Sequence, residues 1–408
     1  MARKKLPIGI QTFAQIREDD VHYYANKTPL ALQLITQNKY FPLSRPCRFD
    51  KRLFPNTFQE RFECSQALFK ELHTEKHWDW PLRYPVLRIS FGGGVLESRD
   101  DLQASLHTQL TLYKRKHGIA AQFPNVHCCF IDLIRHLAQT TGQRRVVVLA
   151  DKHDRPILHR IKDREKAIAI RDVLKDFYST IRDRDVHIRF AFLKGASQFS
   201  KASLFSGLNN FPDITLDQRY NSICGRTDTN VDTVFAPKLE GLDWEGIRRW
   251  YNSYNWLGEP AYSPFDLLLL FDHRQFRRWW FDTGTPTFLV KLLAKRQQFT
   301  PNLESVPAPK ILVSTFDMDA ILTEALIFQA GYLTIASAEI YMGGMDLTLR
   351  YPDCKVKTCL DQSLLDALCG DIMMPSRNVS RLHKRQRRCT SSAWSSAGRS
   401  RTSPVSKH

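Results

Sequence analysis

Four short apolar runs alternate with longer amphipathic segments along the first half of the chain. The runs cover residues 40–43, 86–91, 145–150 and 187–193. Apolar runs of this length are typical of β-strands, and their alternation with helical segments favours a parallel α/β sheet. The run at 145–150 is nearly all aliphatic, as expected of a strand buried on both faces. The pattern therefore predicts a mostly parallel sheet flanked by helices.

The pattern changes in the second half. Residues 242–293 show helical periodicity and many aromatic side chains, which predicts a helical lid packed beside the sheet, with a buried core rather than a base-stacking platform. A small α+β portion follows, with a helix at 325–328, a strand at 332–335 and a hairpin turn at Gly343-Gly344. The expected domains are 5–240 for the sheet, 241–295 for the lid, 296–372 for the α+β portion and 373–408 for a tail.

The charge of the chain is concentrated in that tail. The formal net charge is +17, and residues 375–408 hold nine Lys or Arg and no Asp or Glu, which leaves +8 for the first 374 residues. A Ser/Arg-rich segment with few large apolar residues cannot bury enough surface to order itself, so we expect a disordered basic tail. Basic segments bind phosphate backbones through counterion release, and nucleic-acid binding through the tail is one open alternative for function.

Length and composition indicate a globular protein. The 408 residues, 43% of them hydrophobic, suffice for two or three domains with a substantial core. No apolar segment follows the basic N-terminus, and the densest apolar run, 265–271, is too short to span a bilayer, so we expect a cytoplasmic protein without a membrane partner. The nine cysteines lack the spacing of a disulfide framework or a zinc site, which favours reduced thiols.

The segment 44–53 follows the first predicted strand and precedes a helical pattern, which is the order of a phosphate-binding P-loop. Such a loop ends in Gly-Lys-Ser/Thr, because the glycine lets backbone N–H groups approach the phosphates, the lysine reaches them and the hydroxyl ligates Mg²⁺. Lys51 is retained here, whereas Asp50 replaces the glycine and Arg52, which has only donors, replaces the hydroxyl. Arg48, Asp50, Lys51 and Arg52 are therefore the candidate nucleotide-binding residues of a damaged loop. The alternative for Lys51 is a surface lysine at the start of a helix.

Two prolines flank this loop. Pro42 is expected to remove a ladder hydrogen bond from an internal strand, and Pro55 to lie about one turn into the following helix, where its ring clashes with a carbonyl. Both are expected to disturb the same site.

A second group of candidates lies at the ends of the third and fourth predicted strands. Asp151 ends the aliphatic strand, at the edge of a parallel sheet where ligands bind, and is the candidate Mg²⁺ ligand; the alternative is a turn or N-cap carboxylate. Asp154 is interpreted as structural. Lys152 and Lys194 offer positive charge to a bound polyphosphate, although Asp50 opposes it. Gly92-Gly93-Gly94 is interpreted as a loop rather than a phosphate nest, and Arg248-Arg249 is a weak candidate for a γ-phosphate contact.

Taken together, these residues and several later motifs resemble the AAA-ATPase-like family of bacteria and archaea. The resemblance covers roughly residues 5–360. It is carried by Ser44 to Leu53, Val146 to Leu158, Phe192 to Gly195, Leu204 to Asn210, Asp213 to Asp217, Ile223 to Gly225, Trp250 to Asn255, Trp280 to Pro286 and Phe328 to Thr334.

The resemblance implies a P-loop NTPase fold with ATP and Mg²⁺ as ligands. The family pattern has Gly-Lys-Ser where this chain has Asp50-Lys51-Arg52, and Asp-Glu-Tyr-Asp where it has Asp151-Lys152-His153-Asp154. It also has a threonine in place of Lys194. Lys152 thus occupies the position of the residue that polarises the attacking water, yet it is a proton donor at neutral pH. No catalytic residue is assigned.

Family members usually carry a further domain similar to PD-(D/E)XK nucleases, whose metal site needs clustered carboxylates. Beyond Asp371 this sequence has no acidic residue, and its composition there is that expected of a shifted reading frame or a late truncation. We expect the nuclease part to be absent. Three hypotheses follow: an AAA-ATPase-like protein with weak or no hydrolysis, a non-enzymatic nucleic-acid-binding protein, or a truncated family member without function.

Overall fold

The structure is a computed structural model. It describes residues 4–46, 49, 53–94, 96–121, 123–140, 142–160, 163–196, 212–277, 279, 289–290, 292–293, 296, 303–310 and 322–369. The predicted tail at 373–408 lies outside these residues.

A four-stranded parallel sheet forms the first part of the chain. Its strands are β1 (Tyr40–Ser44), β2 (Val86–Ser90), β3 (Val146–Asp151) and β4 (Ile188–Gly195), and their order is β1-β4-β3-β2. Every residue of β3 is buried, because helices cover both faces of the sheet. The four apolar runs are therefore confirmed as the strands of a parallel α/β sheet.

Two long helices beside the sheet start at polar N-cap residues. In the helix Arg99–Lys116, Ser98 precedes the first turn and its Oγ accepts the backbone N–H of Asp101 at 3.1 Å, while Asp163 caps the helix Arg164–Asp183 in the same way. The helices of this part are α1 (Phe13–Arg17), α2 (Thr28–Gln37), α3 (Leu53–Phe62), α4 (His73–His77), α5 (Arg99–Lys116), α6 (Val126–Thr140), α7 (Arg155–His159) and α8 (Arg164–Asp183). Among the described residues, short 3₁₀ helices lie at Gln66–Phe69, Asp185–His187 and Gln218–Ile223.

Neither proline disturbs its element as expected. Pro42 faces away from β4, because its carbonyl accepts the N–H of Ile214 at 3.3 Å on the outer side of β1, so its missing N–H takes no bond from the ladder. Pro55 lies within α3, and the helix continues past it to Phe62. The sequence placed both residues correctly, but it could not show which way each backbone faces.

The segment after residue 227 contains helices α9 (Asp228–Val234), α10 (Ala236–Leu239), α11 (Trp244–Tyr251) and α12 (Pro264–His273). It also contains two short antiparallel strands, β5 (Asn252–Tyr254) and β6 (Ala261–Tyr262), which the helical periodicity did not predict. A second apolar core, built around Val231, Phe235, Ile247 and Leu267, holds these helices together. Tyr251, Tyr254 and Trp256 are buried, in agreement with a core role for the aromatic residues that the structure describes.

A three-stranded antiparallel sheet follows, in the order β7-β9-β8. Its strands are β7 (Val306–Pro309), β8 (Thr334–Tyr341) and β9 (Gly344–Arg350), and it is accompanied by α13 (Thr323–Gln329) and α14 (Cys354–Cys369). Met342 and Gly343 connect β8 to β9 with φ of 48° and 79°, as a two-residue type I′ turn requires. The predicted hairpin is present, with its turn at Met342-Gly343, one residue before the predicted Gly343-Gly344.

Among the residues that the structure describes, no helix is both long and apolar enough to cross a membrane. Within the same ranges, no group of three or more His, Cys, Asp or Glu side chains is arranged to hold a metal ion, and Cys64, Cys128, Cys129 and Cys354 form no disulfide bond.

Candidate nucleotide site

The carboxyl ends of the parallel strands bring two of the predicted site residues together. In the register of the sheet, Asp151 of β3 pairs with Lys194 of β4, and Ser44 of β1 pairs with Gly195. Ser90 ends β2 on the other side of Asp151. Because partners in adjacent strands project their side chains to the same face, the candidate metal ligand and the candidate phosphate-binding lysine are direct neighbours.

Asp151 and Lys194 form a buried ion pair. The Nζ of Lys194 lies 2.7 Å from Oδ1 of Asp151, and the two side chains are only 2% and 5% exposed. A lysine buried this deeply needs a counter-charge, because an unpaired ammonium loses its hydration without compensation. The ammonium of Lys194 therefore pairs with the carboxylate of Asp151, at the edge of the sheet where the nucleotide was predicted to bind.

Lys152 leaves the strand in a left-handed conformation. Its φ is 57°, and its backbone N–H donates to the carbonyl of Lys194 at 2.8 Å, which fixes the turn to the end of β4. Its side chain runs back over the end of β2, since a Cβ built on Gly92 would lie 3.2 Å from Cδ and 3.3 Å from Nζ of Lys152. The position expected to hold the water-polarising carboxylate thus carries an ammonium beside the glycine loop.

Asp154 links the turn after β3 to the end of β4. Its Oδ2 accepts the backbone N–H of Ala196 at 2.9 Å. A Cβ on Gly195 would lie 2.9 Å from both Asp154 Oδ1 and His153 Cε1, so the close approach requires glycine at this position. His153 is fully buried, and burial lowers its pKa below the ordinary histidine value. These contacts support the structural interpretation of Asp154.

The start of the predicted loop is anchored by a buried arginine. Arg45 is 1% exposed, and its guanidinium donates to the carbonyls of Ser44 at 3.0 Å, Thr215 at 2.7 Å and Tyr220 at 3.2 Å. Its Cζ lies 4.5 Å from the centre of the Trp256 ring, a cation–π contact. Burial lowers the pKa of Arg45 to about 10, so the side chain is charged at neutral pH.

Phe49 is a second anchor within the loop. It is 1% exposed and packs edge-to-face against Tyr254 and Trp256, with ring centres 4.8 and 5.1 Å away. Gly225 closes the other side, since a Cβ there would lie 3.3 Å from Phe49 Cδ1, and its φ is 104°. The loop is therefore fixed at both Arg45 and Phe49 to the segment that follows β4.

Four candidate residues, Arg48, Asp50, Lys51 and Arg52, lie outside the described residues, as does the motif at 204–210. Their roles as nucleotide ligands remain predictions. Ser44 and Leu53 bound the loop, at the end of β1 and the start of α3, in the predicted strand, loop and helix order.

Arg248 has acidic neighbours within its own part of the chain. Its guanidinium lies 3.3 Å from both Asp228 Oδ2 and Glu245 Oε1, and its Cζ stands 4.9 Å from the centre of the Trp244 ring. These contacts assign Arg248 to the packing between α9 and α11. Gly92 accepts a hydrogen bond from Arg155 through its carbonyl, which ties the glycine loop to α7.

Sequence reasoning missed two features of this site. It recognised Asp151 and Lys194 separately but not as partners, although both lie at strand ends. It also gave no role to Arg45, whose burial partners lie about 170 residues later in the chain. The resemblance contained a signal for this, because the motifs at 213–217 and 250–255 adjoin the residues that contact the loop.

A parallel α/β sheet with Asp151 and Lys194 at the carboxyl ends of β3 and β4, and with a loop between β1 and α3, is the arrangement of a nucleotide-binding fold of the P-loop type. The comparisons agree with this class. The family model "Predicted AAA-ATPase" matches residues 7–205. The chain is also 53% identical over 365 residues to the "Uncharacterized protein in vnfD 5'region" of Azotobacter chroococcum mcd 1, covering 90% of this chain and 70% of that protein. The chain belongs to the AAA-ATPase-like family.

Among solved structures, a similar chain occurs in "Structure of Drosophila ORC bound to AT-rich DNA and Cdc6". The identity is 11%, the match covers 87% of this chain and 94% of that chain, and the TM-score is 0.22.

The family implies Mg²⁺ together with the nucleotide, but the described residues do not fit the metal. Mg²⁺ prefers oxygen ligands at about 2.0–2.1 Å in octahedral geometry. The carboxylate expected to bind it is already paired with the ammonium of Lys194 at 2.7 Å, and the next residue, Lys152, adds a second positive charge. Lys194 and Lys152 thus place positive charges beside Asp151, where a metal ion would need negatively charged ligands.

Proposed function

We propose that this protein binds a nucleoside triphosphate at the carboxyl edge of its parallel sheet and hydrolyses it weakly or not at all. Membership of the AAA-ATPase-like family supports the nucleotide. The order β1-β4-β3-β2 supports its location, because ligands of open α/β sheets bind beyond the carboxyl ends of the strands, where the strand order reverses.

The ion pair between Lys194 and Asp151 is the observation that carries the proposal. P-loop hydrolysis needs a metal that neutralises charge on the phosphates and a residue that orients the attacking water. Asp151 is neutralised by an internal lysine, and Lys152 places a proton donor where an acceptor is required. The site thus keeps positive charge but lacks both a ligand for the metal and a residue that orients the attacking water. This combination favours nucleotide binding over hydrolysis.

The loop supports the same conclusion from the sequence side. The sequence keeps Lys51, the lysine that contacts the phosphates in a P-loop, but it has Asp50 and Arg52 in place of the glycine and the hydroxyl residue. The anchors at Arg45 and Phe49 hold the beginning and middle of the loop against Trp256. A loop fixed in this way retains a scaffold for binding even though its catalytic residues are substituted.

The test measures ATP binding by calorimetry and ATP turnover on the full chain. We expect measurable binding, and turnover at least 100-fold below roughly 1 per second, the lower end of the usual range for enzymes. Lys51→Ala should weaken binding at least about tenfold, since it removes a charged phosphate ligand. Lys166→Ala is the control, because Lys166 is an exposed lysine on α8 that pairs with Asp163.

A gain-of-function variant tests the loss of hydrolysis directly. The combination Asp50→Gly, Arg52→Ser, Lys152→Glu and Lys194→Thr places the family residues at all four positions. We expect it to raise turnover at least about tenfold over the native chain. Turnover of the native chain near 1 per second would refute the proposal, as would equal ATP binding by the native chain and Lys51→Ala.

A further inference from the structure

We propose that the ammonium of Lys194 is a built-in cation that replaces the divalent metal ion at Asp151, so that nucleotide binding by this protein does not require Mg²⁺. This inference rests on the proposed nucleotide function. It assigns to Lys194 a role different from that of a phosphate ligand. The ligand class is a nucleoside triphosphate bound equally well with and without a divalent cation.

The short distance between Asp151 and Lys194 is the first reason to expect that a metal ion is excluded. Asp151 ends β3 and Lys194 is its register partner on β4, so their side chains meet on one face of the sheet at 2.7 Å. A metal ion bound to the same carboxylate oxygen at about 2.1 Å could stand no farther than about 5 Å from the ammonium. Two cations at that distance in a buried site repel strongly, because little water screens them.

The burial of the Lys194 side chain is the second reason. With 2% of the Lys194 side chain exposed, the ammonium has no route into solvent when a metal approaches, unless β4 or the turn after β3 moves. That turn is held by two contacts of its own, from Lys152 N to Lys194 O and from Ala196 N to Asp154 Oδ2. The ion pair is therefore a buried part of the fold at this edge of the sheet, and not a surface contact that a metal ion could displace.

The chain offers a matched control for the loss of a buried ion pair. Lys114 Nζ lies 2.9 Å from Asp132 Oδ2, with side chains 6% and 10% exposed, between α5 and α6. The pair resembles that of Lys194 and Asp151 in chemistry and burial, but it does not lie at the ends of the strands. Asp132 keeps a second partner, Arg135, at 3.2 Å, so Lys114→Thr reports the effect of removing the lysine of a buried ion pair away from the strand ends.

The first experiment compares ATP affinity in excess Mg²⁺ and in EDTA, using calorimetry on the full chain. For the native protein and Lys114→Thr we expect dissociation constants that agree within about twofold between the two conditions. For Lys194→Thr we expect ATP to bind at least about tenfold more tightly with Mg²⁺ than with EDTA, because the ammonium that pairs with the Asp151 carboxylate is removed and a metal ion can take its place. A native protein that binds at least about tenfold more tightly with Mg²⁺ would overturn the inference, and this arm needs no variant.

The second experiment uses Mn²⁺ alone and no nucleotide. Mn²⁺ should raise the Tm of Lys194→Thr by about 2 °C or more, while leaving that of the native chain and of the double variant Lys194→Thr, Asp151→Asn unchanged. An equal rise in the native chain would overturn the inference. If the native chain binds no ATP in either condition, the proposed function fails, and the Mn²⁺ experiment alone then decides whether Lys194 excludes the metal.

Discussion

The guanidinium carbon of Arg45 lies 4.5 Å from the centre of the Trp256 ring, and three backbone carbonyls accept hydrogen bonds from the same side chain. This relationship joins the first residue after β1 to a tryptophan more than 200 positions later. The same region contacts the C-terminal sheet, since Asn255 N donates to Thr334 Oγ1 at 2.7 Å and Tyr254 donates to the carbonyl of Gly331. The loop after β1 is thus connected, through Trp256 and its neighbours, to the start of β8.

The first prediction concerns this anchor. Arg45→Met should lower the free energy of unfolding by about 3 kcal/mol, because it leaves buried carbonyl oxygens without donors and removes the cation–π contact. Urea unfolding followed by tryptophan fluorescence measures the change. Arg219→Met is the control, since Arg219 pairs with Asp217 at the surface and should leave the stability unchanged. An equally stable Arg45→Met variant would contradict the assigned role.

The second prediction concerns the close approach of β4 to the turn after β3. Gly195→Ala should lower the free energy of unfolding by about 1–3 kcal/mol, because its Cβ would lie 2.9 Å from Asp154 and His153. Gly93→Ala is the matched control, as a Cβ on Gly93 has no atom within 4 Å, and we expect a change below about 0.5 kcal/mol. Equal midpoints for the two variants in urea would show that the turn relaxes freely.

The strands of the parallel sheet could be predicted because each is a short apolar run, and the hairpin because Gly343 and Gly344 are adjacent turn-forming residues, although the type of turn was not predicted. Their order could not be read from periodicity. The insertion of β4 between β1 and β3 makes Lys194 a neighbour of Asp151, and that contact depends on packing between segments about 40 residues apart.

Arg45 shows a second limit of sequence reasoning. Arginine is rarely fully buried, so a charged residue at the start of a loop is expected to face water or a ligand. Its burial follows from Thr215, Tyr220 and Trp256, which supply carbonyls and an aromatic face. Strands β5 and β6 were missed for a related reason. They are two or three residues long, which is too short for a period of two to stand out from the helical pattern around them.

The third prediction is a pH dependence at the start of β1. The Tyr40 hydroxyl donates to Asp185, and Lys39 Nζ lies 3.0 Å from the same carboxylate. The hydrogen bond from Tyr40, followed by the effects of Lys39, lowers the pKa of Asp185 below the ordinary value of 3.8. A carboxyl whose pKa is lowered by folding stabilises the native state above its unfolded pKa, and this contribution disappears as the pH falls through the lowered value.

Asp185→Asn should therefore be less stable than the native chain at pH 7, by no more than about 1 kcal/mol because half of the Asp185 side chain is exposed. The difference should shrink as the pH falls below 3.8. Urea unfolding at a series of pH values measures it. Tyr40→Phe should reproduce most of the effect at pH 7, and a difference that stays constant down to pH 2 would exclude the carboxylate as its source.

The last prediction concerns the turn between β8 and β9. Met342 has a φ of 48° and is 89% exposed, so its side chain gains little from packing while its backbone occupies a region unfavourable to residues other than glycine and asparagine. Met342→Asn should raise the free energy of unfolding by about 0.5 kcal/mol, because asparagine is favoured at the first position of a type I′ turn.

The control on the same hairpin is Ile340→Asn. Ile340 is 79% exposed but belongs to β8, where replacing a β-branched residue should destabilise the protein by a few tenths of a kcal/mol. Thermal unfolding of both variants measures the difference, and a shift of both in the same direction would show that surface polarity rather than backbone conformation controls the hairpin.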